Sequence, residues 1–253
     1  MEHLDDYKVR LLLVCLVTVI FLGCGRANAD FTFGTPTDIG PTVNSSYADG
    51  EPHVSIDCLE LYFNSTRPGG YGDWDIWVAK RQTANDDWGK AVNLGSLVNS
   101  VTTDAFPCLS ADGLLLYFCS RRPGGSGGFD IWVASRATPN DAWGEPVNLG
   151  PPVNSPYDDA WCCISTDGLE LYLSGHTTNQ PGGYGGRDLW VSRRFTMDDP
   201  WGEPVNLGPL VNGASNDCAP SISGDGLMLF FDSDRPGGSG GRDIMGDNAP
   251  NCL

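Results

Sequence analysis

A Val-Asn pair recurs at Val43-Asn44, Val98-Asn99, Val153-Asn154 and Val211-Asn212, in steps of 55, 55 and 58 residues. Self-similarity at that period confines a chain to units that stack on one another or pack around an axis, because one such unit cannot bury its apolar residues alone. Two aspartate columns keep the same spacing, Asp49, Asp104, Asp159 and Asp217, then Asp75, Asp130, Asp188 and Asp243. The three extra residues of the third unit fall within 176–180. The repeats lie near 43–95, 98–150, 153–208 and 211–245.

Each unit reads as four short apolar runs. The first is Pro-x-apolar-Ser (Pro52–Ser55, Pro107–Ser110), ending at Asp112-Gly113, Asp167-Gly168 or Asp225-Gly226, a tight-turn signal. The second is LELYF, LLLYF, LELYL or LMLFF, from Leu59, Leu114, Leu169 and Leu227. A glycine loop follows, Arg67-Pro68-Gly69-Gly70, with copies at Arg122 and Arg235. The third run is Asp-Ile-Trp-Val-Ala at 75 and 130 and Asp-Leu-Trp-Val-Ser at 188. The fourth follows Trp88-Gly89, Trp143-Gly144 and Trp201-Gly202. With 33 Gly and 18 Pro in 253 residues, long helices are excluded.

Four strands per unit of about 50 residues predict propeller blades. The second and third runs are apolar at almost every position, as sheets buried on both faces require. The expected fold is all-β, a four-bladed β-propeller of four-stranded blades. Residues 33–41 resemble the fourth run at Trp143–Pro151, whereas the last unit has no fourth run of its own. The leading segment, residues 33–40, is therefore expected to close the ring, since an open ring leaves bare sheet edges. The alternative is an open or dimer-completed fragment of a larger propeller.

Residues 11–23 form one apolar run of 13 residues, short for a membrane span, preceded by Lys8 and Arg10 and followed by Ala27-Asn28-Ala29. Residues 1–29 thus read as a signal peptide, and 30–253 as the propeller domain. A competing reading is a lipoprotein signal, Phe21-Leu22-Gly23-Cys24, with Cys24 acylated. Either way the chain is exported, periplasmic or extracellular, and membrane contact would come only through a lipid anchor at Cys24. Nucleic acid is excluded as a partner: the net charge is −17 and, of the lysines, only Lys80 and Lys90 follow residue 29.

The unit Ser-x-Asp-Gly-Leu-x-Leu-Tyr-Phe-x-Ser-x-Arg-Pro-Gly-Gly-x-Gly-Gly-x-Asp-Ile-Trp resembles the WD40-like β-propeller repeat of the TolB type, in four copies over residues 33–245. That resemblance implies an exported bacterial propeller. It also implies contact with protein partners in the cell envelope, or service beside a catalytic domain.

Residues repeated in every blade read as scaffold, so candidates are those that break the repeat. In the first run these are Glu51, Phe106, Trp161 and Ala219, then His53, Cys108, Cys163 and Ser221. Period-2 alternation would turn both sets the same way. Trp74 stands outside the repeated columns, Tyr47 and Tyr157 lie in the loop before the first run, and Tyr71 and Tyr184 in the glycine loop. With Arg67, Arg122 and Arg187 they suit a rim that stacks on sugars or grips a peptide. Asp49, Asp104, Asp159 and Asp217 could ring the axis and hold Ca²⁺, a hard ion that takes oxygen ligands; the bland reading is that each caps its own loop. No other cofactor is expected. His53, Cys108 and Cys163 have types that suit zinc, but small filler or disulfides account for them better. Seven cysteines follow residue 29, an odd number whose pairing the sequence does not reveal.

The function expected is a non-enzymatic envelope scaffold binding a protein or glycan. The alternative is a carbohydrate-active enzyme, a glycoside hydrolase or lyase, using Glu51 and an axial Asp. Gly124–Gly128 fits G-x-S-x-G only as a repeated turn, without the strand-turn-helix a nucleophile elbow needs.

Overall fold

The computed structural model describes residues 35–176 and 181–248. The signal-peptide and Cys24 expectations therefore lie outside the described residues. Two compact units are delimited, 1–38 and 39–253; the second carries all the strands.

That unit is all-β and four-bladed. Blade 1 is β1 (Asp49–Val54), β2 (Glu60–Ser65), β3 (Asp75–Lys80) and β4 (Val92–Asn93). Blade 2 is β5 (Asp104–Leu109), β6 (Leu115–Ser120), β7 (Asp130–Ser135) and β8 (Val147–Asn148). Blade 3 is β9 (Asp158–Ile164), β10 (Glu170–His176), β11 (Arg187–Arg193) and β12 (Val205–Asn206). Blade 4 is β13 (Asp217–Ile222), β14 (Met228–Ser233) and β15 (Asp243–Asn248). Every blade is an antiparallel meander in chain order.

Blades are glued by the two faces of their second and third strands. Tyr62, Ile76 and Val78 of blade 1 form one core with Leu116 and Phe118 of blade 2, while Leu61, Phe63 and Trp77 take the other face. The same split recurs between blades 3 and 4, where Tyr172, Leu189 and Val191 meet Leu229 and Phe231. Burying each such side chain contributes about 1.5–3 kcal/mol. The repeated Asn stitches each junction. Asn99 accepts from the Ile76 amide at 2.8 Å and donates to its carbonyl at 2.9 Å, and Asn154 and Asn212 do the same for Ile131 and Leu189. The repeated Trp is packing as well: Arg81, Arg136 and Arg194 lie over Trp88, Trp143 and Trp201 at 4.1–4.3 Å. The glycine loop is tight for a steric reason, since a Cβ on Gly127 would collide with the Tyr157 carbonyl of the next blade.

The junction between blades 4 and 1 differs. First strands of successive blades touch from β1 to β5, β9 and β13, but no strand of blade 1 touches one of blade 4 among the described residues. Ile244 is 83% exposed, while its counterparts Ile76 and Ile131 are fully buried. Blade 4 has three strands among the described residues, and Thr35–Gly40 carry none. The expected latch is thus not formed by that stretch; its first two residues, Phe33 and Gly34, lie outside the described residues.

Candidate functional site

The first strand of each blade carries a β-bulge, between Gly50 and His53 in β1 and between Ala105 and Cys108 in β5, with counterparts in β9 and β13. At each bulge one non-glycine residue has a left-handed backbone: Glu51 (φ 52°), Phe106 (58°), Trp161 (47°) and Ala219 (51°). That conformation costs about 1–3 kcal/mol per residue and persists only where the fold over-determines it. These are the four repeat-breaking positions of the inner column. The bulge breaks the alternation expected from residue 51 to 53, because two residues of the first strand oppose one of its partner.

All four bulges border a central cavity of about 340 Å³. Its wall includes Glu51, His53, Phe106, Cys108, Trp161 and Cys163. Burial pushes the His53 imidazole down, against a hydrogen bond with the Leu109 backbone that pulls it up. Burial and the neighbouring Asp232 push the Glu51 carboxyl up, while Arg242 pulls it down. Arg242 itself bonds Asp232 at 2.8 Å.

At the blade 2–blade 3 side of this cavity the side chains form a continuous ladder. Arg121 lies over Phe129 at 4.3 Å, Phe129 meets Phe106 edge-on at 6.1 Å, Phe106 meets Trp161 at 4.6 Å, and Arg187 covers Trp161 at 4.4 Å. Both end cations approach ring faces, where the aromatic quadrupole is negative. Sequence reading singled out Phe106, Trp161 and Arg187 but missed Phe129, Arg121 and Arg242. A signal existed. The residue before the third-run aspartate is Trp74, Phe129, Arg187 or Arg242, a variable column inside a repeated motif.

Other expected rim residues do not join the ladder. Arg67 and Arg122 are scaffold. The Arg67 guanidinium bonds Asp49 and the Val43 carbonyl, both at 2.5 Å, and Ser65 at 2.9 Å, and it lies over Phe63 and Trp77. Arg122 repeats this with Asp104, Val98, Ser120, Phe118 and Trp132. Their Nε and Nη2 donors are thus engaged inside the blade. Tyr47 and Tyr157 stand exposed in their loops, and Trp74 is half-buried, its carbonyl accepting from the Asp104 amide at 2.8 Å.

The four aspartates expected to ring the axis are each engaged within their own loop. Asp49, Asp104, Asp159 and Asp217 each accept from a backbone amide of their own loop, at Ser45, Ser100, Ser155 and Gly213. Three of the four also hold an arginine, Arg67, Arg122 or Arg235. Hydrogen bonds from Ser65, Arg67 and Ser45 overcome burial and bring Asp49 down to about 2. Among the described residues no three His, Cys, Asp or Glu side chains gather to hold a metal.

No family model matches the chain, and no curated protein matches its sequence. Among solved structures, TolB from Acinetobacter baumannii superposes with a TM-score of 0.53 at 13% identity, over 82% of this chain and 42% of that one. A putative TolB from Agrobacterium tumefaciens also gives 0.53, at 18% identity, over 82% and 60%. The fold is that of a TolB-type β-propeller. A Hadza microbial sialidase, Hz136, superposes with a TM-score of 0.50 at 12% identity, over 79% and 44%. The chain spans about half the length of these structures. At such identities the likeness establishes the propeller scaffold, on which unrelated activities are built.

Proposed function

We propose that the chain is an exported, non-enzymatic propeller scaffold that binds a protein or glycan partner in the cell envelope through the mouth of its central cavity. The ladder Arg121–Phe129–Phe106–Trp161–Arg187 carries this reading. It is built from columns that differ between blades, whereas the scaffold columns repeat. Stacked aromatics flanked by guanidinium groups suit the face of a sugar or of a peptide side chain, with acidic substituents held by the arginines. Residues 1–29 serve in this reading as the export signal, and the likeness to TolB-type propellers supports an envelope setting.

The test is a glycan and peptide array probed with the full chain, followed by titration of the best ligand. Trp161→Ala should weaken binding by about 2 kcal/mol, roughly 30-fold in Kd. The fold should survive, because Ala219 already occupies the equivalent bulge of blade 4 with the same left-handed backbone. Unchanged affinity in Trp161→Ala would remove the ladder from the binding site.

A second reading has one observation in its favour. Glu51 is pushed toward its protonated form beside Asp232, which Arg242 holds by an ion pair. Carboxyls in unlike environments are the arrangement of glycoside hydrolases. A hydrolase screen in which turnover disappears in Glu51→Gln would favour that enzyme over the scaffold.

A further inference from the structure

Four cysteines meet where blades 2 and 3 join. Cys108 and Cys119 come from β5 and β6, Cys162 and Cys163 from β9, and all four lie in one packed cluster. Their placement is specific to this junction. Cys162 stands where blades 1, 2 and 4 have Pro52, Pro107 and Pro220, and Cys119 stands where blades 1 and 3 have Asn64 and Ser174. The bulge in β9 separates the two adjacent thiols. Cys163 faces Cys108, while Cys162 faces Cys119. The Cys108 sulfur also accepts from the Ile164 amide of the neighbouring blade at 3.4 Å. Access differs between the pairs. Cys108, Cys162 and Cys163 line the central cavity and Cys163 alone of the four is half-buried, whereas Cys119 is fully buried and does not reach it, so only the Cys108–Cys163 pair has both sulfurs at the wall.

We propose that Cys108 and Cys163 are a cross-blade redox site, a dithiol that closes to a disulfide between blades 2 and 3 by exchange with a disulfide oxidant entering the cavity. The Cys163 thiolate attacks one sulfur of the oxidant. A Cys163–oxidant disulfide forms and the other half leaves as a thiolate, which takes up a proton. Cys108 then gives up its proton to water and attacks the Cys163 sulfur, expelling the second half as a thiol. Two cysteine thiols lose two electrons, and the oxidant disulfide becomes two thiols. The direction of attack follows from exposure. Cys163 is half-buried at the cavity wall and Cys108 is buried, so Cys163 is the thiol an entering oxidant meets first, and its contact with Cys108 also lowers the Cys163 thiol. Cys162 has its facing sulfur, Cys119, sealed off from the cavity, so that second pair stays reduced in the folded chain. This site stands apart from the partner-binding reading, since it needs neither the ladder nor a partner.

The experiment treats the full chain with oxidised glutathione, counts thiols before and after unfolding, and maps disulfides on non-reduced peptides. The expected result is loss of two thiols from the folded chain and one link, Cys108 to Cys163. Cys162→Ala should retain the link and Cys163→Ser should abolish it. The serine variant should fold, because Ser221 occupies that column in blade 4. A link within Cys162-Cys163, a link of Cys119 to Cys162, a glutathione adduct that never closes, or thiols that react only after unfolding would each overturn the proposal.

Discussion

Replacing Arg122 by methionine should lower stability by about 3–5 kcal/mol, with a fall in Tm on the order of 10 °C. Arg122 bonds Asp104 at 2.6 Å, and the two side chains are 12% and 0% exposed. Removing the cation leaves a carboxylate that burial has cut off from water, and the desolvation already incurred has no compensating charge. The Arg122 guanidinium also holds the Val98 carbonyl and covers Phe118 and Trp132, so the loop between blades loses an anchor too. Two controls give the test its edge. Asp104→Asn combined with Arg122→Met should recover part of the loss, because no charge is then stranded. Arg235→Met should cost less, since that side chain is 29% exposed and solvent can take over from it. Chemical unfolding of the three variants measures all of this. A loss within 1 kcal/mol for Arg122→Met would make the pair equivalent to a surface ion pair.

The third blade lacks this arginine, and its aspartate pays for it in a pH dependence. Asp159 occupies the column of Asp49 and Asp104, but among the described residues the donors to its side chain are the Ser155 amide and hydroxyl. Burial, reinforced by Asp130 and Asp158, raises its carboxyl from 3.8 to about 7. Between those values the folded chain binds a proton that the unfolded chain has released. Stability therefore falls as pH rises from about 4 to about 7, and the ionised group costs about 4 kcal/mol above that window. Asp159→Asn keeps the acceptor for the Ser155 amide and removes the titration. It should flatten the stability profile across this window and be more stable than the natural chain at about pH 8. Parallel pH slopes for the two proteins would show that Asp159 is ionised throughout.

The contrast between Asp49, near 2, and Asp159, near 7, shows what repetition hides. Both sit in the same column with the same serine at the same offset. The sequence shows that residues 176–180 lack an arginine, but the consequence needs the knowledge that Arg67 and Arg122 reach back 18 residues to their aspartates. Read as one-dimensional columns, these arginines look like free rim cations. In three dimensions they are clamps.

The candidate site divides in the same way. The inner column of Glu51, Phe106, Trp161 and Ala219 was legible because it varies inside a constant frame. Its backbone strain was not, because a bulge inserts a residue without leaving a signature in local composition. Phe129 and Arg121 were passed over because their neighbours in space come from the next blade.

Sequence alone determined the number of blades, the order of runs along each unit, and the two-sided burial of the second and third strands. These follow from the repeat period and from continuous apolar runs, which are local properties of a chain. Only tertiary structure decided that no strand of blade 1 packs on a strand of blade 4 among the described residues, that the aspartates are capped rather than gathered, and that Cys163 meets Cys108 instead of its neighbour. Those outcomes depend on how sheets twist and on which side chains residues about 50 positions apart place against one another, and no spacing along the chain encodes such contacts.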